Sequence, residues 1–349
     1  MKRHTPGRRP FRQGAARYRL LVVCCLSALA LAVGLIVCGG NDGLPDPEPG
    51  TLVDVRIPAG SGARSVGSKL EAQGLIDHPW LFSMYVRYKG AETDLKAGHY
   101  RLTAGASWGE LLAAIRDGNV VTHPITIPEG LTVRQIAPRI AKFSGAPAES
   151  VLALMQDSAA AATFGVPGPG LEGYVFPETY RFSEGVAVRE IVRTMVDRYR
   201  SFWGIEERRL ADSLGLDERE VVTLASIVEE EARVPEERSV IAGVYLNRLQ
   251  LGWLLQADPT VQYALGEPKE RLLYSDIDAV ADNPYNTYTH PGLPPGPIAS
   301  PGEASLRAVL QPADHPYLFF VARADGSHEF TRTEREHINA KNRIRKEGR

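Results

Sequence analysis

The sequence predicts an α+β protein: a single N-terminal transmembrane helix, a small α+β unit, and a larger mixed α+β domain with a proline-rich groove. Three observations carry this. An uncharged apolar run, Leu20 to Cys38, follows a basic tail. Alternating strand residues, a glycine turn and an amphipathic helical pattern recur three times between residues 55 and 140. Past residue 145 helical periodicity dominates until a proline-bearing stretch over 252–301. With 349 residues and 44% hydrophobics, the chain is long enough for two domains with sizeable cores. A net charge of −2 gives no sign of a nucleic-acid partner.

The elements follow in order. Lys2, Arg3, Arg8, Arg9, Arg12, Arg17 and Arg19 precede the apolar run, and Asp42, Asp46 and Glu48 follow it. Its length suits a bilayer-spanning helix of ~20 residues, and the flanking charges place residues 1–19 in the cytoplasm and the bulk of the chain outside. A cleaved signal peptide competes, but the run is long for one and no A-x-A site follows. Lipid-modified Cys38 is a further alternative, against which the bulk of Val37 counts. Cys24, Cys25 and Cys38 all lie in or at this run, so the rest has neither disulfide nor thiol nucleophile. Residues 39–50, GGNDGLPDPEPG, read as a linker.

VRIPAGSGARSVGSKL (55–70), YRLTAGASWGELLAAI (100–115) and TIPEGLTVRQIAPRI (126–140) are the three strand–turn–helix copies, closed by Gly60, Gly105 and Gly130. With a helix over 77–89, the first two make a unit spanning 51–120, and the third opens a domain over 121–345. Helical patterns run over 148–156, 187–202, 205–215, 217–232 and 236–250. The end reads as strands 317–323 and 328–331 and a helix from 333.

GASWG (105–109) matches a nucleophile elbow, G-x-S-x-G, literally. The repeat argues otherwise: Ser107 corresponds to Gly62 and Thr132, and Ser107/Glu110 and Thr132/Gln135 have capping-box spacing. The hydroxyl is expected to cap a helix. His290, His315, His328 and His337 lack paired metal-ligand spacing, and no phosphate-binding glycine loop is present, so neither metal nor cofactor is called for.

That leaves ASIVEEEA (225–232). On a helical wheel Val221, Ala225, Val228 and Ala232 form the apolar face; Glu229 lies on its edge, Glu231 on the other flank, and Glu230 points away to solvent. A carboxyl against an apolar face loses hydration and holds its proton nearer neutrality, as a general acid requires. The wheel does not separate Glu229 from Glu231. Gln256, Asp258 and Thr260, then Tyr285, Asn286, Thr287, Tyr288, Leu293, Pro294, Pro295 and Ile298, put amides, hydroxyls and rings on turn-rich backbone. Such a mixture suits a sugar chain.

The sequence resembles the membrane-anchored endolytic murein transglycosylases of bacteria, from the apolar run to about residue 345. IPEGLTVRQIA (127–137), LEGYVFPETY (171–180), ASIVEEEA (225–232), LLQADPTVQYALG (254–266), NPYNTYTHPGLPPGPIASPG (283–302) and FVARADGSHEF (320–330) carry the likeness. Ala257 and Ser300 are minor departures. The resemblance implies that Glu229 is the catalytic acid, that Glu172, Glu178 and Glu231 are candidate orienting groups, and that residues 51–120 are a LysM-like module. It implies a lyase acting on peptidoglycan strands at the inner membrane, cutting after MurNAc to leave 1,6-anhydro ends and so ending strand growth, beside peptidoglycan synthases. One glutamate would act as acid and then base, where ordinary glycosidases use two carboxylates. The reading from another class is a non-catalytic, membrane-tethered peptidoglycan-binding protein.

Overall fold

A computed structural model describes residues 47–269 and 271–347. The described chain divides into two compact units between Val121 and Thr122.

The first unit begins with strand β1 (Leu52–Ile57), helix α1 (Ala63–Glu71) and helix α2 (Pro79–Tyr88). Strand β2 (Gly98–Thr103) and helix α3 (Trp108–Asp117) complete it. β1 and β2 pair antiparallel with Val55 opposite Tyr100. Alternate strand residues Val55, Ile57, Tyr100 and Leu102 turn inward onto Val66, Leu70, Phe82, Leu111 and Ile115, a core of its own. Ser107 caps α3 within a complete capping box. Its Oγ bonds to Glu110 at 2.8 Å and accepts from the Glu110 N–H, so the hydroxyl is engaged as a cap.

The second unit opens with strand β3 (Thr122–Ile127) and helix α4 (Val133–Ser144), followed by α5 (Ala148–Gln156) and α6 (Ser158–Phe164). Strand β4 (Glu178–Ser183) pairs antiparallel with β3, Ile125 facing Tyr180, and leads into α7 (Val188–Phe202). β4, Gly185 and α7 are a fourth strand–turn–helix copy that the sequence reading did not recognise. All four turns end on a glycine in the left-handed region, at φ 76° to 79° for Gly60, Gly105, Gly130 and Gly185. Tyr100 and Tyr180 sit at matching register, and each donates its hydroxyl to the carbonyl four residues earlier, Lys96 and Phe176, at 2.7 Å.

Helices α8 (Ile205–Leu214), α9 (Glu218–Glu231) and α10 (Arg238–Gln250) then build the main core, with a short 3-10 turn, Pro235–Glu237, between the last two. The proline-bearing stretch is less irregular than expected: it holds α11 (Asp258–Leu265) and α12 (Tyr274–Ala279) and leads to α13 (Glu303–Leu310). Helices α9, α10 and α13 pack mutually. Strands β5 (Phe319–Ala322) and β6 (His328–Thr331) form a hairpin against α14 (Glu334–Glu347).

The α+β class agrees with this architecture, but the membrane part of the expectation needs correction. No helix among the described residues is long and apolar enough to cross a membrane. The 15 residues of α7 rise about 22 Å, short of the ~30 Å hydrocarbon core, and one face is polar. The single N-terminal transmembrane helix and the single-pass inner-membrane placement are therefore not carried forward. Residues 1–19 and 20–38, on which they rested, lie outside the described residues, as does most of the linker.

Candidate active site

Helix α9 explains why one short stretch can hold an unusual carboxylate. Asp217 caps it in a capping box with Glu220, both bonds 2.8 Å. Residues Val221 to Val228 are then buried without a break, so no single face is apolar and the helix runs through the core. The wheel's one-faced picture fails for that reason. The helix emerges again in its last turn, where three carboxylates sit at the negative end of the helix dipole. Nothing in local helix stability favours them there.

Each goes to a different environment. Glu229, 7% exposed, accepts the Gly302 N–H at 3.0 Å, and its other oxygen lies 3.5 Å from the Arg238 guanidinium. Gly302 is the N-cap of α13, whose positive end therefore also faces this carboxylate. Glu230 faces outward, as expected. It stays solvent-exposed, yet its Oε1 comes so close to Gly130 that a Cβ there would lie 2.7 Å from it, and it lines a cavity. Desolvation by the cavity walls, then repulsion from Glu229, push its carboxyl up to about 7. Glu231 turns inward and accepts the Tyr245 hydroxyl at 2.9 Å; burial pushes it up to about 7 as well.

The cavity, about 410 Å³, is lined among others by Glu172, Glu230, Arg134, Gln262, Tyr263 and Ile298. Glu172 accepts the Val133 N–H at 3.0 Å at the start of α4 and the Tyr263 hydroxyl at 3.3 Å. Burial raises it to about 7, against the pull of those two donors. Tyr285 stacks at a tilt on Tyr263, centroids 4.8 Å apart. The LEG turn that carries Glu172 fits tightly below the loop: a Cβ on Gly173, at φ 82°, would lie 2.4 Å from Pro297. Amides, a phenol, a guanidinium and carboxyls near neutrality make this a wall suited to hydroxyls and amides.

The remaining expected site residues divide. Thr260, Asn286 and Thr287 are 0–1% exposed, so as direct contacts with a ligand they are corrected to loop staples. The Thr260 and Thr287 hydroxyls lie 2.8 Å apart, Thr287 Oγ1 accepts the Ala257 N–H at 3.0 Å, and Asn286 donates to the Ile277 and Val280 carbonyls. Those bonds hold Gln256 and Asp258 at the surface, and Tyr288 donates to Asp258 at 2.5 Å. Gln256 adopts φ 49°, a left-handed conformation rare for a residue with a Cβ. Leu293, Pro294 and Pro295 do not join the Glu172 cavity; they line a second one of about 370 Å³ with Arg219 and Thr223. Glu178 instead pairs with Arg198 at 2.7 Å.

Two residues escaped the sequence reading. Ser226 is fully buried and accepts the Ile298 N–H at 3.0 Å, joining α9 to the proline-rich loop. Glu129 lies against Gly302, which in turn holds Glu229. The quoted motifs contained both, but only folding shows whom they meet. Among the described residues no group of three or more His, Cys, Asp or Glu is placed to hold a metal.

A model of the YceG-like family matches residues 55–343. An endolytic murein transglycosylase of Bacillus subtilis is 34% identical over 307 residues, which covers 83% of this chain and 84% of that protein. One of Streptococcus pneumoniae R6 is 33% identical over 336 residues; 85% of this chain matches, spanning 60% of that relative's length. The crystal structure of a YceG-like protein from Listeria monocytogenes, 34% identical, matches with a TM-score of 0.58 over 83% of this chain and 99% of that one. The chain belongs to the YceG-like family of endolytic murein transglycosylases.

Proposed function

We propose that this protein is an endolytic transglycosylase of peptidoglycan, a lyase that cuts glycan strands between MurNAc and GlcNAc and leaves 1,6-anhydro-MurNAc ends. The observation that supports it most is Glu229, directly after the buried run Val221–Val228 and held between the Gly302 N–H and Arg238. It stands next in sequence to Glu230, which lines the cavity with Glu172. The relatives' name, endolytic murein transglycosylase, supports the substrate class.

In this reading Glu229 protonates the glycosidic oxygen after MurNAc. The bond from C1 to that oxygen breaks, and the GlcNAc-bearing fragment leaves with the proton. Glu229, now a carboxylate, takes the proton of the MurNAc 6-hydroxyl as its oxygen closes on C1, so no water is consumed. The substrate's N-acetyl group supports the cationic sugar. Arg238 and the α13 N-terminus stabilise the carboxylate that forms midway. Glu172, the Tyr263–Tyr285 pair, and Gln256 with Asp258 hold the strand. Cutting inside new strands would end their growth, with synthases as the natural neighbours. Residues 51–120 are proposed as a LysM-like module, supported by the β1-α1-α2-β2 order, and 121–345 as the catalytic domain.

Digestion of purified sacculi in heavy-oxygen water tests this, with products read by mass spectrometry. Unlabelled ends, lighter by one water than hydrolytic ends, are expected, with a broad early spread of oligosaccharides. Heavy oxygen in reducing MurNAc ends would mean hydrolysis. Disaccharides released first would keep the chemistry and sink internal cutting. An unchanged muropeptide profile would favour a binding protein.

A further inference from the structure

Glu129 stands in the turn between β3 and α4. That turn is tied to the segment before α13 by two backbone bonds of 2.9 Å, Gly130 N–H to Ser300 and Ser300 N–H to Leu131. The tie lays the Glu129 carboxyl onto Gly302: a Cβ at that glycine would come 1.8 Å from Glu129 Oε1 and 2.2 Å from its Cδ. Gly302 has φ −75°, which any residue adopts, so the missing side chain serves the close approach and not the backbone. The N–H of the same glycine donates to Glu229. Two carboxyls from distant parts of the chain thus converge on one residue.

The other groups facing Glu229 are Arg238 from α10, itself held by Nε donating to Ser305 at 3.1 Å, the N-terminus of α13, and Glu230 on its own helix. One guanidinium serves two carboxyls. We propose that Glu129 and Glu229 work as a carboxyl pair that enters the reaction holding one proton between them, Glu129 being the positioning residue that retains it there. Like charges that converge on one residue disfavour double ionisation. In keeping with this, Glu129 is itself raised, by desolvation first and by Glu229 second, with Arg238 opposing.

The inference rests on the reading of Glu229 as the acid. The test compares Glu129→Gln, Gly302→Ala and the double variant, each verified as folded by circular dichroism and melting. For each, initial rates of anhydro-end formation are measured across pH. Glu129→Gln should move the alkaline fall in kcat to lower pH by about one unit or less, with KM little changed, since partial exposure screens the pair. Gly302→Ala should copy it, because its Cβ displaces the Glu129 carboxyl, and the double variant should shift no further. Glu129→Asp, which keeps the charge, should recover part of the shift. Rates lowered by one factor at every pH would mean a structural role and overturn the pairing, as would additive shifts. If Gly302→Ala does not fold, the Gln and Asp variants decide alone. Carbon-13 titration of labelled glutamates in wild type and Glu129→Gln reads the coupling without activity. Heavy-oxygen labelling of wild-type ends would thus defeat the functional reading while leaving the pairing open to this measurement, which unchanged titrations would refute.

Discussion

Glu229, Glu230 and Glu231 occupy one helical turn yet meet a backbone donor and guanidinium, a cavity, and a buried phenol. Glu229→Gln should abolish cleavage while the melting temperature stays near wild type, because the amide fills the same space without a proton to give. Glu230→Gln should slow cleavage by less, since the carboxyl lines the cavity; muropeptide assays of both variants check this. Glu231 yields a prediction about stability. Its folded carboxyl titrates near 7 against about 4.5 for an ordinary glutamate, so the folded state binds the extra proton between those values. Its contribution is full below about 4.5 and falls as pH rises through 7. Glu231→Gln, which can still accept from Tyr245, should therefore gain on wild type in melting scans as pH rises from 5 to 8. A constant difference would count against the burial argument. At this scale the motif pointed to Glu229, because its position in ASIVEEEA needs no third dimension. Glu129 was not legible, since its meaning lies in Gly302, far along the chain.

At the scale of elements, α9 is the beam that the site hangs from, and Ser226 is its bolt to the proline-rich loop. Ser226→Ala leaves the buried Ile298 N–H without an acceptor, which costs about 1–3 kcal/mol. A clear fall in denaturation midpoint is expected, with weaker cleavage as the loop loosens. Ser107→Ala should cost ~1 kcal/mol of cap stability and leave the rate per folded molecule intact, and fluorophosphonates should not label the chain. Labelling at Ser107 would revive a serine hydrolase. Most helices and the β5–β6 hairpin could be read from periodicity, because each shows its apolar spacing locally. Helix α11 was hidden by Pro259, which reads as a breaker but sits in the first turn, where its missing N–H does no harm. Strand β4 was missed because its partner, β3, lies more than fifty residues earlier.

Over the whole molecule, each unit has its own buried core, Val55 to Ile115 in one and Ile125 to Leu310 in the other. Residues 122–347 made alone should therefore melt cooperatively and keep the chemistry of cleavage; a calorimetric trace without a transition would refute this. The cavity, assembled from segments far apart in the chain, was visible in the sequence only as motifs awaiting a place. The matching tyrosines carry the repeat further. Strand, glycine turn and helix, intervening helix or helices, then strand with an inward tyrosine, turn and helix, describe residues 52–117 and 122–202 equally well. The larger unit therefore opens with a second edition of the small one, built from the same order of parts.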